Sequence, residues 1–312
     1  MARPDLLLAT PISAPLRAAL AERFTLHEGD PPPGVRAVVG GGMAKIDAAL
    51  LARLPALEIV AIHGVGHDRV DLDALDARGI RITTTAGVLT EDVADQAIAL
   101  MLAVQRRIAA NDALVRAGGW TAPLGRRASG RRIAIFGLGQ IGHAIALRAA
   151  PFAGELLYAA RSEKPVPWRF VPDIAALAEA SDVLILAATG GPATRRIVDA
   201  AVLDRLGPGG VLINIARGSL VEQDALVAAL AAGRIAGAGL DVFAEEPQVP
   251  QALRAMDQVV LAPHQGSATE EARIAMRELV LANLDAHFAG RPLVTPLRRE
   301  RRAVSHVVPP RR

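Results

Sequence analysis

Three polar side chains in the last third of the chain have the types needed for a proton-coupled redox step on an acid. Arg217 lies in Asn214-Ile215-Ala216-Arg217-Gly218-Ser219, and Glu246 ends the run from Gly239 through Asp241 to Glu245-Glu246-Pro247. His264 lies in Ala262-Pro263-His264-Gln265-Gly266-Ser267. A guanidinium can bind a carboxylate or polarise a carbonyl, and an imidazole can give a proton near neutral pH. A carboxylate beside that imidazole tunes it. Each segment follows an apolar, strand-like run. In an open parallel sheet ligands collect at the carboxyl ends of strands, so the three segments describe one edge. Taken singly, Arg217 also suits a surface ion pair, Glu246 a solvated loop and His264 an ordinary turn.

A second signal says what could be oxidised or reduced there. Gly137-Leu138-Gly139-Gln140-Ile141-Gly142 follows the β-like run Arg132–Phe136 and opens a helical run. Gly137 permits a tight turn, and Gly139 lets the backbone approach a pyrophosphate. Gly142 lets helix and strand pack closely, with the helix N-terminus facing the anion. This is a dinucleotide-binding loop, with Leu138, Gly139, Gln140 and Ile141 against the phosphates. The next strand, Leu156–Ala160, runs into Arg161-Ser162-Glu163-Lys164. An NAD site usually has an acid at that strand end. Here Arg161 stands there, beside Ser162 and Lys164, and a guanidinium matches a 2′-phosphate bidentately. The residues favour NADP(H), and Glu163 leaves NAD(H) possible.

The elements that must position these groups alternate. Strands are expected at Asp5–Ala9, Arg36–Val39, Glu58–Ile62 and Ile80–Thr84. Helices are expected at Pro15–Arg23, Ile46–Arg53 and Leu72–Ala77. A second series brings strands at Arg132–Phe136, Leu156–Ala160, Val183–Ala187, Val211–Ile215, Gly237–Leu240 and Val259–Leu261. Such alternation specifies parallel βαβ units. One helix is expected from Glu91 to about Arg116, since no Pro or Gly interrupts it, and another over Thr269–Phe288. Arg291–Pro296 is too short for a domain and returns to complete the first one.

Composition narrows the field. At 312 residues with 51% hydrophobic and 21% charged residues, the chain suits two globular domains. Without Cys it has no disulfide, thiolate metal site or Cys nucleophile. The sequence pI of about 10.1 suggests an acidic partner, yet six of the 35 basic residues, all Arg, lie in 297–312 beside a single acid. Without that segment 29 basic residues face 31 acidic ones, a net charge of −2. Aromatics make up only 3%, so base-stacking platforms are scarce and no nucleic-acid partner is expected. Leu6-Leu7-Leu8-Ala9, between Pro4-Asp5 and Pro11, is too short for a leader or a membrane span, so a cytoplasmic protein is expected. His63 and His67 have a zinc-like spacing but straddle Gly64 and Gly66, and no metal site is expected.

These stretches, with Gly64-Val65-Gly66-His67-Asp68, resemble the D-isomer-specific 2-hydroxyacid dehydrogenase family from about Pro55 to Pro296. Leu89–Asp95 and Ala160–Lys164 are most similar to its NADPH-dependent glyoxylate/hydroxypyruvate reductase group. The resemblance implies an α/β fold of two doubly wound parallel-sheet domains. A Rossmann cofactor domain over 97–286 would be inserted into a smaller, flavodoxin-like substrate domain over 1–96 completed by 287–312, with the active site in the cleft. It implies that Arg217 holds the substrate's carboxylate and keto oxygen, that His264 donates the proton, and that Glu246 pairs with His264 and keeps it protonated. The backbone N–H groups of Val65 and Gly66 would bind the carboxylate. Ile215 and Asp241 would line the nicotinamide, with Gly266 and Ser267 nearby, Ser267 on the substrate side. The partners implied are a small 2-keto or 2-hydroxy acid and a second copy in a homodimer, with Glu91–Arg116 as a contact region. His67, where the family more often has an aromatic or aliphatic residue, and Gln265 depart from the pattern. Two alternatives stand beside this reading. One is a reductase of bulkier, phenylpyruvate-type acids. The other is a non-catalytic dinucleotide-binding regulator, against which the complete Arg217–Glu246–His264 set argues.

Overall fold

The structure, a computed structural model, describes residues 3–297. The Arg-rich segment 298–312 lies outside the described residues. The chain divides into two compact units, Met1–Thr85 with Arg277–Arg312 and Ala86–Met276.

The first unit runs β1 (Asp5–Leu8), α1 (Ala14–Ala21), β2 (Thr25–His27), β3 (Ala37–Gly41), α2 (Ala48–Arg53), β4 (Ile59–His63), α3 (Leu72–Ala77) and β5 (Arg81–Thr83). Its sheet has the order β2-β1-β3-β4-β5, every pair parallel. That is the flavodoxin-like order. The central strands are almost continuously apolar because both faces are covered. Successive side chains point to opposite faces. Thus Leu6, Leu8, Val39, Ile59 and Ala61 join one core with Leu16 and Leu20 of α1. Leu7, Val38, Val60 and Ile62 join another with Leu51 of α2 and Leu75 of α3. Asp47 and Asp71 cap α2 and α3 by accepting from Leu50 and Ala74 N–H.

The second unit holds α4 (Thr90–Gln105), α5 (Ile108–Arg116), β6 (Arg131–Phe136), α6 (Gln140–Ala149), β7 (Ala153–Ala159), β8 (Arg169–Phe170), α7 (Ile174–Glu179), β9 (Val183–Leu186), α8 (Ala200–Leu206), β10 (Val211–Asn214), α9 (Gln223–Ala231), β11 (Gly237–Leu240), α10 (Gln251–Arg254) and β12 (Val259–Leu261). The parallel sheet runs β12-β11-β10-β9-β6-β7-β8. Counted from β6 it is the Rossmann order with one further strand, and its direction reverses between β6 and β9. No helix among the described residues is long and apolar enough to cross a membrane.

The single helix expected over Glu91–Arg116 is two helices. Arg107 adopts a left-handed backbone, φ 54°, and α5 begins after it. No Pro or Gly causes the break. The incoming segment does: Arg126 N–H donates to Gln105 O at 2.6 Å, taking the carbonyl on which α4 would have continued. Thr25–His27 and Arg169–Phe170 are strands too short and too polar to read from periodicity.

The last helix, α11 (Glu270–Phe288), places Val280 and Leu284 in the same core as Leu6 and Ile59. The chain then returns along β5, with Leu297 N–H donating to Ile82 O at 2.9 Å and Pro296 bridging Thr83 antiparallel. Asn283, 1% exposed, holds this return. Its Oδ1 accepts from Val294 and Thr295 N–H, each at 3.0 Å, and its Nδ2 donates to Thr295 Oγ1 at 2.8 Å. Thr295 Oγ1 donates onward to Thr84 O at 2.7 Å. Asn283→Ala removes the acceptor of the Val294 and Thr295 N–H groups and the donor to Thr295 Oγ1, and should cost about 1–3 kcal/mol in urea unfolding. A change below about 0.5 kcal/mol would show that the return holds without it.

Candidate active site

The three chemical segments leave adjacent strands. Arg217 follows β10, Asp241 and Glu246 follow β11, and His264 follows β12, all at carboxyl ends of one parallel sheet. Asn214, 1% exposed, shapes the first loop: its Oδ1 accepts from Ala216 N–H at 3.0 Å and its Nδ2 donates to Arg217 O at 2.9 Å. Arg217 Nη1 donates to Ala216 O at 2.6 Å. Gly218 packs against the second loop so closely that a Cβ there would lie 1.9 Å from Phe243 C. The Arg217 and Glu246 loops are therefore fixed against each other. Gln223 Oε1 adds a hydrogen bond from Ala244 N–H at 3.1 Å.

Glu246 turns inward. Its Oε1 accepts from Phe243 N–H at 3.0 Å, and its Oε2 meets His264 Nδ1 at 2.8 Å. Glu245 is exposed, and its backbone carbonyl accepts from Gln248 N–H. Burial pushes the Glu246 carboxyl up, but the His264 bond, the Phe243 N–H and the charges of His264 and Arg217 outweigh it and hold the group below its ordinary value. With Nδ1 taken by Glu246, the ring has Nε2 left for a substrate. His264 itself has φ 56°, a left-handed backbone that a non-glycine residue adopts at a cost.

Asp241 explains how that backbone is held. Its carboxylate, in a residue 1% exposed, accepts from Gln265 N–H at 2.7 Å and Gly266 N–H at 2.8 Å. Its own carbonyl accepts from His264 N–H at 2.8 Å. Burial raises the Asp241 carboxyl above its ordinary value, and the two N–H bonds oppose that shift. The sequence offers Asp241 as a cofactor contact, and the structure shows it building the turn that carries His264. An acid directly after an apolar strand was the visible signal. Ser267 and Ile215 flank the same loops, the first half-buried and the second buried.

The residues of the β6–α6 turn fit a dinucleotide. Gly137 has φ 105°, and a Cβ there would lie 2.5 Å from Ala188 N, while one at Gly142 would lie 1.9 Å from Gly137 O. At Gly139, the N-cap of α6, a Cβ would meet nothing within 4 Å, so the space over the helix end is open. No side chain caps α6, which leaves Gln140 and Ile141 presenting its N-terminal turn, with Leu138 buried beneath. Arg161, Ser162 and Lys164 are exposed after β7. Their loop is tied down by the buried Tyr158, whose hydroxyl accepts from Lys164 N–H at 2.8 Å.

In the first unit, Val65 and Gly66 follow β4. Among the described residues neither N–H donates a hydrogen bond to another residue, although Gly66 is buried. Gly64 O accepts from Thr85 N–H at 2.8 Å, and Val65 O meets His67 Nδ1 at 3.2 Å. No cluster of metal-ligating residues occurs among the described residues.

A dinucleotide cradle and an Arg–Glu–His set on one sheet edge define a nicotinamide-dependent oxidoreductase. Comparison with known proteins gives the family. Residues 98–266 match the family described as D-isomer specific 2-hydroxyacid dehydrogenase, NAD binding domain. The chain is 43% identical to 2-ketogluconate reductase of Gluconobacter oxydans over 306 residues, 95% of this chain and 99% of that one. It is 45% identical to hydroxyphenylpyruvate reductase of Plectranthus scutellarioides, over 93% and 98% of the two chains. Its fold superposes with TM-score 0.90, at 40% identity, on NADPH-dependent glyoxylate/hydroxypyruvate reductase from Sinorhizobium meliloti in complex with NADP and malonate. That match covers 95% of this chain and 97% of the other. The chain belongs to the D-isomer-specific 2-hydroxyacid dehydrogenases and is an NAD(P)-dependent oxidoreductase.

Because the folded Glu246 carboxyl lies below its unfolded value, its contribution to stability is present above the ordinary carboxylate range and lost as pH falls through the depressed value. Glu246→Gln removes that increment. The stability gap between wild type and variant should be widest near neutral pH and close in strong acid, as read by thermal unfolding across pH. A gap independent of pH would separate Glu246 from the ion pair.

Proposed function

We propose that the protein reduces a small 2-keto acid of the glyoxylate or hydroxypyruvate type to the D-2-hydroxy acid, using NADPH. The observation that carries this reading is the His264 Nδ1–Glu246 Oε2 contact of 2.8 Å, which leaves Nε2 as the ring's proton-donating atom. Bound NADPH supplies the hydride. His264 Nε2 gives its proton to the keto oxygen, and Glu246 stabilises the positive ring beforehand. Arg217 binds the carboxylate and the keto oxygen, and the N–H groups of Val65 and Gly66 bind the carboxylate. Gly139, Gln140 and Ile141 hold the pyrophosphate, with Ile215, Asp241 and Gly266 toward the nicotinamide. Arg161, Ser162 and Lys164 hold the 2′-phosphate, Arg161 rather than an acid stands nearest the end of β7, and Glu163 two residues on leaves NAD(H) possible. The NADP held by the Sinorhizobium meliloti relative supports the same preference. A second reading, reduction of bulkier aromatic keto acids, is favoured by the hydroxyphenylpyruvate reductase relative. We also propose a homodimer through α5 and the segment after it, where Trp120 is 88% and Leu124 96% exposed.

A steady-state screen of glyoxylate, hydroxypyruvate and hydroxyphenylpyruvate with each reduced cofactor tests the reading. The small acids with NADPH should give the highest kcat/KM, and Arg161→Ala should lower the NADPH-over-NADH ratio about tenfold. An aromatic acid in first place would favour the second reading, and an unchanged cofactor ratio would remove Arg161 from the phosphate. His264→Gln should lower kcat about 10²–10⁴-fold while NADPH binding, followed by fluorescence, changes little. A retained kcat would take the proton away from His264.

A further inference from the structure

The Val65–Gly66 loop is unusual in how its carbonyls are used. A trans peptide group is planar, and its C=O and N–H point in opposite directions. Fixing the carbonyl of residue i therefore aims the N–H of residue i+1. Two successive carbonyls of this loop are fixed. Gly64 O accepts from Thr85 N–H at 2.8 Å, and this peptide's other end is the Val65 N–H. Val65 O meets His67 Nδ1 at 3.2 Å, and that peptide's other end is the Gly66 N–H. A carbonyl oxygen only accepts, so His67 must carry its proton on Nδ1 in this contact. Both N–H groups donate to no other described residue, and Gly64, at φ 155°, lets the chain turn from β4 into this arrangement. The first of the two aiming bonds comes from the backbone and does not depend on residue type. The second comes from a side chain and is the one sequence could change.

We propose that His67 is a positioning residue for the substrate carboxylate, acting through the Val65–Gly66 peptide. Its Nδ1–H donates to Val65 O and holds the Gly66 N–H toward the acid. A hydrogen bond accepted at one end of a peptide group also polarises it, so the N–H at the other end becomes the stronger donor. An aliphatic residue at this position leaves Val65 O to water and the Gly66 N–H free to swing. His67 is thus a device for binding the carboxylate common to all 2-keto acids, rather than for selecting the group beyond the keto carbon. The proposal rests on the reading that the Val65 and Gly66 N–H groups bind that carboxylate.

The test uses the full-length protein saturated with NADP⁺ for binding, and with NADPH for turnover. Oxalate serves as a non-reacting dicarboxylate probe. In wild type, oxalate should shift the amide resonances of both Val65 and Gly66. In His67→Leu the Gly66 shift should shrink while the Val65 shift persists. The oxalate Kd and the glyoxylate KM should each rise about five- to tenfold, with kcat within about twofold. His67→Asn, whose side-chain amide can donate to the same carbonyl, should restore both to within about twofold of wild type. Wild-type shifts at both amides with an unchanged Kd in His67→Leu would overturn the role of His67 alone. So would an Asn variant no better than Leu. Absence of any wild-type shift at Val65 and Gly66 would overturn the carboxylate reading and the proposal with it.

Discussion

The carboxylate of Asp241 sits at the carboxyl end of β11 with both oxygens occupied by N–H groups of the loop beyond β12, Gln265 at 2.7 Å and Gly266 at 2.8 Å. Its backbone carbonyl takes the His264 N–H as well. Three bonds from one residue thus hold the turn that forces His264 into a left-handed conformation, φ 56°. Burying that carboxylate is unfavourable, as its raised proton affinity shows, and the two N–H groups offset the loss of water. On that turn the ring's Nδ1 meets Glu246 Oε2 at 2.8 Å. His264 is thus placed by a residue other than its ion-pair partner.

Other loops are held in the same way by buried polar side chains. Asn214 bonds both sides of the Arg217 loop, and Asn283 accepts from two successive N–H groups of the C-terminal return. Tyr158 reaches out of the sheet core to fix the loop that carries Arg161 and Lys164. In each case a buried polar side chain at a strand end or helix face supplies partners that the loop cannot supply itself. Gly137, Gly142 and Gly218 act by the opposite means, since at each a Cβ would overlap another segment's backbone.

Much of this was legible beforehand because it lives in short-range pattern. The two alternating series predicted both parallel sheets. The glycine spacing after β6 and the three polar segments after β10, β11 and β12 mark loops that the structure places at the carboxyl edge of one sheet. What stayed hidden depends on contacts far apart in sequence. The break at Arg107 comes from Arg126 reaching Gln105, and nothing within Glu91–Arg116 announces it. That Asp241 also holds the His264 turn is not visible in sequence, because its partners, Gln265 and Gly266, are backbone groups more than twenty residues away. The domain boundaries drawn at 96/97 and 286/287 fall inside α4 and α11, whereas the compact units part at Thr85 and Arg277. Apolar periodicity runs through a helix whichever unit its two ends pack on, so it carries no mark of that division.

The arginine pairs show the same difference between composition and placement. Arg106-Arg107, Arg126-Arg127 and Arg131-Arg132 are pairs that in sequence suit solvated faces. In the fold Arg126, Arg131 and Arg132 make ties within the Rossmann unit. Arg126 bonds Gly209 O with its guanidinium at 2.7 Å and Gln105 O with its N–H. Arg131 bonds Arg127 O at 2.9 Å, and Arg132 pairs with Asp182 at 2.9 Å. Asp182 in turn accepts from the Arg132 N–H, and burial, which would raise its carboxyl, is outweighed by these bonds. A guanidinium has five donors and no acceptor, so it can close carbonyls that loops leave open. Among the described residues the arginines serve both as backbone ties, as at Arg78 and Arg126, and as carboxylate partners, as at Arg36, Arg132 and Arg205. Arg161 and Arg217 lie on loops at the carboxyl edge of the same sheet, and Arg217 too bonds a backbone carbonyl, that of Ala216.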